Sequence, residues 1–317
     1  MRIGIDVMGG DYAPNAPIEG VSLATPHLKE NETLVLLGDQ ASIEPLLEQY
    51  NIDQNKVEIA HCSEVIEMSE HPTKTINKKM DSSIVKGFHF LKENNIDVLL
   101  GAGNTGAMFV SALYTIGALP GIMRPAITSI VPKEQGGYGI FLDVGANADV
   151  KPEVLNQFGL LGSIYAQQVY GIDNPKVGLI NIGSEKEKGN LLTQQAFPIM
   201  EKNESLNFIG NVEGYDMFGD KADVMVCDGF TGNILLKFGE TIYQMMKKKG
   251  FTDEYFEKFD YEHYGGTPIL GVNEPVIIGH GVSTGQAFKS MIELGGHIHH
   301  SGLIDHFRDA FQLKKTQ

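Results

Sequence analysis

Six short turns of small and polar residues are the segments of this chain whose composition could support chemistry. Each follows an apolar run, and a segment with a helical pattern usually comes next. Small residues let main-chain N–H groups approach an anion closely, and a helix N-terminus adds a positive dipole. We therefore expect a cleft that holds phosphate. The turns are DVMGGD (Asp6–Asp11), GAGNTG (Gly101–Gly106), DVGANAD (Asp143–Asp149), NIGSEKEKGN (Asn181–Asn190), CDGFTGN (Cys227–Asn233) and GHGVSTG (Gly279–Gly285).

Several side chains in these turns are candidates for catalysis or for binding phosphate. Lys188 could place a positive charge against an anion, although a charged and solvated loop has the same composition. Asp228 could orient a donor or a nucleophile, and it is equally well placed to cap the following helix. His280, between two glycines after a strand, is an active-site or a structural histidine. Asn104 and Thr105 are candidate donors to phosphate.

Two of the turns also resemble nucleotide-binding loops. The turn GAGNTG fits the Gly-x-Gly-x-x-Gly fingerprint of dinucleotide sites, but no acidic residue follows about 20 residues later to bind a ribose. The segment IGIDVMGGD resembles the first phosphate loop of sugar kinases and actin-like ATPases. That loop lies in a β-hairpin, whereas Pro14 and Pro17 indicate the start of a helix. An ATP-dependent phosphotransferase and an NAD-dependent dehydrogenase stay as alternatives.

The composition indicates a soluble, acidic protein of a reducing compartment. A net charge of −15 argues against a nucleic-acid partner, because nucleic-acid-binding proteins normally carry a basic face. The two cysteines, Cys62 and Cys227, cannot form a disulfide framework, and Cys227 ends an apolar run, which favours a core position. The N-terminal residues lack the apolar region of a signal peptide, and no apolar run approaches the ~20 residues that span a bilayer. We expect a cytoplasmic protein.

The histidine-rich segment HIHH, residues 297–300, is the feature that most suggests a metal. On a helix only His297 and His300 would share a face. No Cys or carboxylate spacing supports them as ligands. We therefore expect no metal site, and a polar surface or subunit contact explains the segment better.

Short apolar runs alternate with helical patterns along most of the chain. Strands are predicted at Arg2–Val7, Thr33–Gly38, Lys56–Ala60, Asp97–Gly101, Ala126–Val131, Tyr138–Asp143, Lys176–Ile182, Asn207–Asn211, Asp223–Cys227 and Pro275–Gly279. Helices are predicted at Pro14–Lys29, Ser42–Tyr50, Thr73–Glu93, Thr105–Ile116, Pro152–Tyr170, Leu191–Glu201 and Gly232–Lys248. This order predicts an α/β fold with a mostly parallel sheet and helices on both faces.

Two further features concern the organisation of this fold. The segment PKEQGG joins two predicted strands and indicates an antiparallel hairpin. No linker, low-complexity tract or repeat divides the chain. We therefore expect residues 1–317 to form one compact unit, or two intertwined lobes that share a sheet and a cleft.

Two basic segments could contact a negatively charged partner. Lys74, Lys78 and Lys79, near the start of the predicted Thr73–Glu93 helix, could attract an acidic partner or substrate, although solvated helix charges look the same. Residues 238–264 are predicted to form an amphipathic helical excursion. Within it, Ile242–Tyr264 combines the run of three consecutive lysines, Lys247–Lys249, with aromatic residues, which suits an anionic lipid surface. Packing against its own domain or a second subunit explains the pattern equally well.

Taken together, these segments resemble the bacterial phosphate acyltransferase family. The resemblance runs in order from Met1 to about Met291. That family makes acyl phosphate from acyl-acyl carrier protein at the start of phospholipid synthesis. The segments that carry the resemblance are RIGIDVMGGDYAP, HPTKTINKKMDSSI, GAGNTGA, RPAI, LDVGAN, NIGSEKEKGN, CDGFTGNILLK and the late GHG turn.

The resemblance implies a fold, partners and site residues. The fold is a three-layer α/β/α sandwich similar to phosphotransacetylases and isocitrate/isopropylmalate dehydrogenases. A homodimer is implied, with no metal or organic cofactor and with peripheral contact to the membrane or to a membrane-bound glycerol-3-phosphate acyltransferase. The resemblance places residues in the family's patterned segments without assigning each a chemical role, and our own candidates for catalysis are Lys188, Asp228 and His280. Our candidates for binding substrate or phosphate are Asp6, Asn104, Thr105, Gly106, Asn147, Asn181, Gly183, Ser184, Thr231, Gly232 and Asn233.

The implied chemistry agrees with the polar turns. Inorganic phosphate would attack the thioester carbonyl directly and expel the pantetheine thiol, so that no acyl-enzyme is required. Catalysis would depend on positioning and on donors aimed at the developing charge. We expect Lys188 to neutralise charge, and Asp228 or His280 to orient groups or shuttle a proton.

Two rival classes make different demands on the chain. A metal- and NAD-dependent dehydrogenase of the related fold would need clustered aspartate ligands and a nucleotide pocket. A non-catalytic module that binds lipid or a carrier protein would need only Ile242–Tyr264 and the lysines. A non-catalytic module of this kind would give the six polar turns no function.

Overall fold

The computed structural model describes residues 1–251 and 253–312. The strands are β1 (Arg2–Asp6), β2 (Thr33–Gly38), β3 (Val57–His61), β4 (Val98–Gly101), β5 (Ala126–Pro132), β6 (Tyr138–Leu142), β7 (Lys176–Ile180), β8 (Asn207–Val212), β9 (Val224–Val226), β10 (Gly266–Leu270) and β11 (Val276–Gly279). The α-helices are α1 (Asn15–Ala24), α2 (Gln40–Gln49), α3 (Pro72–Thr75), α4 (Ser83–Lys92), α5 (Thr105–Ser111), α6 (Pro152–Tyr170), α7 (Leu191–Glu201), α8 (Gly229–Lys248), α9 (Glu254–Glu257), α10 (Tyr261–Tyr264), α11 (Gly285–His300) and α12 (Leu303–Gln312). Short 3-10 helices cover Thr25–His27 and Gly214–Asp216, and a π-helical turn covers Ala112–Ile116.

The chain divides into two compact units. The first unit contains residues 1–117 and 261–300, and the second contains residues 118–260 together with the described residues from Ser301 onward. In both units most strand pairs are parallel and helices pack on the sheet, as predicted for an α/β/α sandwich with a mostly parallel sheet.

The sheet of the first unit has the strand order β3-β2-β1-β4-β11-β10. Strands β3, β2, β1, β4 and β11 run parallel, and β10 pairs antiparallel with β11. Residues such as Ile5, Leu36 and Leu99 are inaccessible to solvent, as expected for strands covered on both faces. Helix α1 lies close against α11, because Gly20 leaves room for Phe288.

The sheet of the second unit has the strand order β5-β6-β9-β7-β8. Strands β6, β9, β7 and β8 are parallel, and β5 and β6 form the predicted hairpin, in which Pro132 lies opposite Tyr138. Gly136 and Gly137 of the connecting turn both have positive φ, which glycine adopts at little cost. The long helix α6 packs on this sheet through buried Phe158 and Tyr165.

The ten predicted strands are all present, with ends that differ by no more than two residues. The predicted Thr73–Glu93 helix is wrong, because it is two helices, α3 and α4, separated by residues 76–82. Ser82 is buried and its hydroxyl accepts a hydrogen bond from the Val85 N–H, so a new helix begins there. Strand β10 and helices α11 and α12 are additional elements that the sequence patterns did not predict.

The close approach of α1 and α11 leads to a stability prediction. A Cβ on Gly20 would overlap the Cβ of Phe288 and meet the Gly285 carbonyl oxygen at 2.9 Å. We expect Gly20→Ala to lower the free energy of unfolding by about 1–3 kcal/mol through overpacking. In the matched control, Gly296→Ala in α11, the new Cβ would meet Met1 at an ordinary 3.4 Å and should leave stability unchanged or raise it. Urea unfolding of both variants tests this, and equal stabilities would contradict it.

Candidate active site

The parallel register brings the polar turns together at one edge of the sheet in each unit. In the first unit Asp6 lies opposite Gly101, and Gly101 lies opposite Ile278, so the turns after β1, β4 and β11 are neighbours. In the second unit Val226 pairs with Leu142 and with Leu179, so the turns after β6, β9 and β7 are neighbours. The carboxyl ends of parallel strands are where ligands bind in α/β sheets.

In the first unit, Asp6 lies beneath the turns that follow β1 and β4. Its side chain is fully buried, and Oδ1 accepts a hydrogen bond of 3.1 Å from the Met8 N–H. Burial raises the pKa of the Asp6 carboxyl, and hydrogen bonds from Ser83, Met8 and Gly9 oppose that shift. Gly9 has no room for a side chain, because a Cβ would overlap Asp6 Oδ2. The buried side chain of Asp6 therefore helps to fix the conformation of these turns.

Asn104 holds a neighbouring segment in place. Its Nδ2 group lies 3.0–3.2 Å from the carbonyl oxygens of Glu67, Met68 and Glu70, and its Oδ1 accepts the Ala107 N–H at 2.9 Å. The side chain is 6% exposed. The Asn104 amide, which the sequence suggests as a donor to phosphate, anchors residues 67–70. Thr105 and Gly106 form the first turn of α5, and Gly106 packs against Pro72.

His280 lies on the turn that follows β11. The side chain is exposed, and the His280 carbonyl accepts the Ser283 N–H. The adjacent Gly281 carbonyl accepts the Asp11 N–H at 2.7 Å, which ties the turn after β11 to the turn after β1. The first unit thus brings together Asp6, Asn104, Thr105, Gly106 and His280.

In the second unit, Asp143 organises the turn after β6. Its carboxylate accepts the main-chain N–H groups of Gly145, Ala146 and Asn147 at 2.7–3.2 Å, and the Ile127 N–H at 3.2 Å. The Asn147 side chain donates to the same carboxylate at 2.9 Å and to the Pro125 carbonyl at 2.7 Å. The sequence predicts that the N–H groups of this turn face an anion. In the structure they donate hydrogen bonds to the carboxylate of Asp143.

The same turn rests on the first turn of α8. The Gly229 N–H donates to the Asn147 carbonyl at 2.8 Å, and Gly232 leaves no space for a Cβ because the Asp143 carbonyl lies against it. Asn233 lies beside Gly145, with Asn233 Oδ1 3.5 Å from the position a Gly145 Cβ would take. The two turns therefore form one rigid junction.

Asp228 is the N-cap of α8, one of the two roles that its position in the sequence allows. Its Oδ1 accepts the Thr231 N–H at 2.8 Å, and its Oδ2 accepts the Thr231 hydroxyl at 2.9 Å. Both carboxylate oxygens are thus engaged by Thr231. This arrangement fixes the orientation of Thr231 and begins the helix.

The turn after β7 presents Lys188. Asn181 closes the turn, since its Nδ2 donates to the Lys188 carbonyl at 3.0 Å and its Oδ1 accepts the Ile182 N–H. The side chain of Lys188 passes over Gly183, where a Cβ would meet Lys188 Cγ at 2.9 Å. Ser184 and Lys188 are both exposed. The Lys188 stem and the Glu185 carboxylate fill the space over Gly183, which is buried, and the exposed side chain of Lys188 is available to an anion in solvent.

Neither cysteine can act as a nucleophile near neutral pH. Burial raises the pKa of the Cys62 thiol to about 12 and raises the pKa of the Cys227 thiol well above its ordinary value. The nucleophilic form of cysteine is the thiolate, which these environments disfavour. Among residues 1–251 and 253–312, no group of three His, Cys, Asp or Glu side chains is arranged to hold a metal ion.

Asp143 is the residue of this region that we did not select from the sequence. The signal was present, because an aspartate directly after an apolar strand and before Gly and Asn is typical of a side chain that hydrogen-bonds its own turn. From the sequence we selected Asn147 in the DVGAN turn, and the side chain of Asn147 donates a hydrogen bond to Asp143.

Solved structures of known proteins share this fold. A phosphotransacetylase from Streptococcus pyogenes has a TM-score of 0.66 at 17% identity, with 94% of each chain covered. The EutD phosphotransacetylase from Staphylococcus aureus has a TM-score of 0.61 at 15% identity, again with 94% of each chain covered. At these identities the likeness establishes the fold alone.

The sequence relatives show first the class of enzyme and then the protein family to which the chain belongs. The family model described as "Fatty acid synthesis protein" matches residues 1–306. A phosphate acyltransferase from Dictyoglomus turgidum is 42% identical over 314 residues, covering 93% of both chains, and one from Staphylococcus aureus is 40% identical over 312 residues, covering 92% of both. The chain is a transferase enzyme, an acyltransferase of fatty acid and phospholipid synthesis. It belongs to the phosphate acyltransferase family.

The buried carboxyl of Asp6 leads to a prediction about pH. A carboxyl whose folded-state pKa is raised binds its proton more tightly in the folded chain. Its contribution to stability is therefore greatest below the unfolded-state pKa of about 3.9 and is lost as pH rises through the folded-state pKa. We expect the unfolding free energy of the native protein, relative to Asp6→Asn, to increase as pH falls from 8 to 5. Urea unfolding of both proteins at several pH values measures this difference, and a constant difference would contradict it.

Proposed function

We propose that this enzyme transfers a fatty acyl group from acyl-acyl carrier protein to inorganic phosphate, giving acyl phosphate. The observation that carries the proposal is the relationship to proteins named phosphate acyltransferase over more than nine-tenths of the chain. An acceptor that is itself an anion agrees with the exposed Lys188 beside Gly183.

Phosphate attacks the thioester carbonyl directly in this proposal. A tetrahedral oxyanion forms, its collapse breaks the carbon–sulfur bond, and the thiol of the carrier leaves with a proton. The two buried thiols support direct attack, because neither Cys62 nor Cys227 is available as an ionised nucleophile. Phosphate needs no activation by a side-chain nucleophile of the enzyme.

The residues take separate roles in this scheme. Lys188 neutralises the charge that gathers on phosphate and on the oxyanion. Thr231, held by Asp228, and Asn233 are positioned at the beginning of α8, where the helix dipole favours negative charge. In the first unit, His280 is an exposed candidate for proton transfer. Asp228 acts by positioning, because both of its oxygens are engaged by Thr231.

We further propose that the enzyme works as a homodimer. Helix α8 exposes an apolar stripe on successive turns, formed by Phe230, Ile234, Phe238, Ile242 and Met245. Five large apolar side chains facing solvent along one helix are unusual for a monomer. A second copy of the same helix has a matching stripe and would cover it in a two-fold contact.

Contact with the membrane surface is also part of the proposal. None of the helices in the described residues is long and apolar enough to cross a membrane. Phe251 is exposed and follows Lys248 and Lys249, while Lys247 is bound to Asp260 at 2.7 Å. An aromatic side chain beside exposed lysines suits an anionic lipid surface or a membrane-bound glycerol-3-phosphate acyltransferase, which would receive the product.

The function is tested by following thiol release from acyl-acyl carrier protein with and without inorganic phosphate. We expect thiol release that depends on phosphate and yields one acyl phosphate per thiol, because phosphate is the attacking group. A hydroxamate trap for the acyl phosphate checks the product. Release that proceeds equally well without phosphate would identify a thioesterase, and no release at all would remove the acyltransferase proposal.

The role of Lys188 is tested by Lys188→Ala. We expect kcat/KM for phosphate to fall by about 100-fold, because a removed charge-stabilising group costs roughly 2.7–4 kcal/mol in comparable sites. The matched control is Lys186→Ala in the same turn, whose side chain is paired with Glu201. That variant should keep the native rate. Similar rates for the two variants would show that Lys188 has no part in the reaction.

A further inference from the structure

A helical segment over the turn after β4 carries two lysines on its outer side. Helix α3 continues as a helical turn to Lys79, because the Lys78 and Lys79 N–H groups both donate to the Thr75 carbonyl. Thr75 and Ile76 face inward and are buried, while Lys74 and Lys78 are exposed. Residues four apart lie side by side on a helix, so the two ammonium groups form one patch.

These two lysines differ from their neighbours in having no acidic partner. Lys79 is paired with Glu70 at 2.6 Å, and Lys86 is paired with Asp81 at 2.9 Å. Within the described part of the chain, neither Lys74 nor Lys78 has a carboxylate within ion-pair distance. In a protein of net charge −15, two adjacent unpaired cations create a local field of opposite sign to the rest of the surface.

Large apolar side chains are exposed around the same segment. Met68 and Met80 are 47% and 55% exposed, and Tyr12 is 55% exposed. The methyl group of Met68 lies 3.0 Å from the position that a Cβ on Gly281 would take, and Gly281 accepts the Asp11 N–H. Met68 and Tyr12 therefore flank one turn. Flexible methionines beside charges are typical of surfaces that adapt to a protein partner.

The patch is tied directly to the candidate active site of the first unit. Asn104, which caps α5, binds the carbonyl oxygens of residues 67, 68 and 70. Lys74 lies four residues after Glu70 in the chain, within the helix that begins at Pro72, so it follows closely on an anchor point of that site. A carrier seated on the patch would hold its flexible arm within reach of the turns at the strand ends.

We propose that Lys74 and Lys78, together with Met68, Met80 and Tyr12, form the docking surface for the acyl carrier, an acidic protein. This inference rests on the proposed function, which requires a protein-bound thioester as acyl donor. Charge complementarity favours an acidic protein, and such surfaces act mainly by raising the association rate. The contact is transient, because the carrier must leave after each turnover.

The proposal is tested with the double variant Lys74→Glu, Lys78→Glu. We expect kcat/KM for acyl-acyl carrier protein to fall by about tenfold or more, because opposed charges become like charges. The rate with the uncharged small thioester acyl-pantetheine, and KM for phosphate, should stay within about twofold of native values, because the reacting groups are untouched. The native rate with the carrier should fall as salt is added, and the variant should lose that dependence.

A matched control separates position from net charge. Lys92 and Lys202 are exposed and lie outside the patch, so Lys92→Glu, Lys202→Glu changes the net charge equally. Native kinetics in this control support the proposal. Equal losses in the two double variants would overturn it, as would an equal loss with acyl-pantetheine and with the carrier.

Direct binding keeps this test independent of turnover. Titration of the labelled carrier protein into the native enzyme and the Lys74/Lys78 double variant should show weaker binding to the variant, even if the native protein released no thiol. Absence of phosphate-dependent thiol release would remove the proposed function alone. If the variant bound the carrier normally but lost binding to anionic phosphatidylglycerol vesicles, the patch would be a lipid-binding surface and our proposal would be wrong.

Discussion

Buried aspartates at the ends of central strands fix the shape of the turns on which the candidate active site depends. Asp143 accepts five hydrogen bonds from its own turn and from β5, and Asp6 occupies the corresponding place after β1. Burial raises the pKa of both carboxyls, and the hydrogen bonds that the turns donate oppose that shift. The same tightly packed turns require glycine at two positions, because a side chain on Gly9 or Gly232 would overlap the turn it touches. The conformation of these turns is thus stabilised from inside, by hydrogen bonds that need no ligand.

This internal hydrogen bonding changes how an anion would be bound. Main-chain N–H groups that serve Asp143 cannot also serve phosphate, so charge must come from side chains placed around the turns. Lys188 fits that need, since it is exposed and its stem crosses Gly183. Thr231 is held by Asp228 at the beginning of a 20-residue helix, where the dipole adds to the effect. Rigid turns and a few placed side chains are what direct attack by phosphate requires, because it uses no nucleophile from the protein.

Much of the fold could be predicted from the sequence, because buried parallel strands are continuous apolar runs and their ends are marked by small residues. The hairpin of β5 and β6 could be predicted for the same reason, from the glycine pair that follows its charged residues. Strand β10 was missed because Pro268 and flanking glycines make it look like a loop, although its neighbour β11 completes its hydrogen bonding. The break between α3 and α4 was missed because Ser82 reads as an ordinary helical residue until its burial is known.

The site could be predicted only in part, and the reason lies in what each polar side chain binds. Asn104, Asn147 and Asp228 all lie in the polar turns, but a sequence does not show whether an amide faces a ligand or a carbonyl of its own chain. Asn104 uses its amide to hold residues 67–70, and that contact gives a basic segment a fixed place beside the strand ends. In this structure Asn104 therefore links the turn after β4 to the segment of residues 67–70. These contacts join residues 34 or more positions apart, so local sequence patterns do not reveal them.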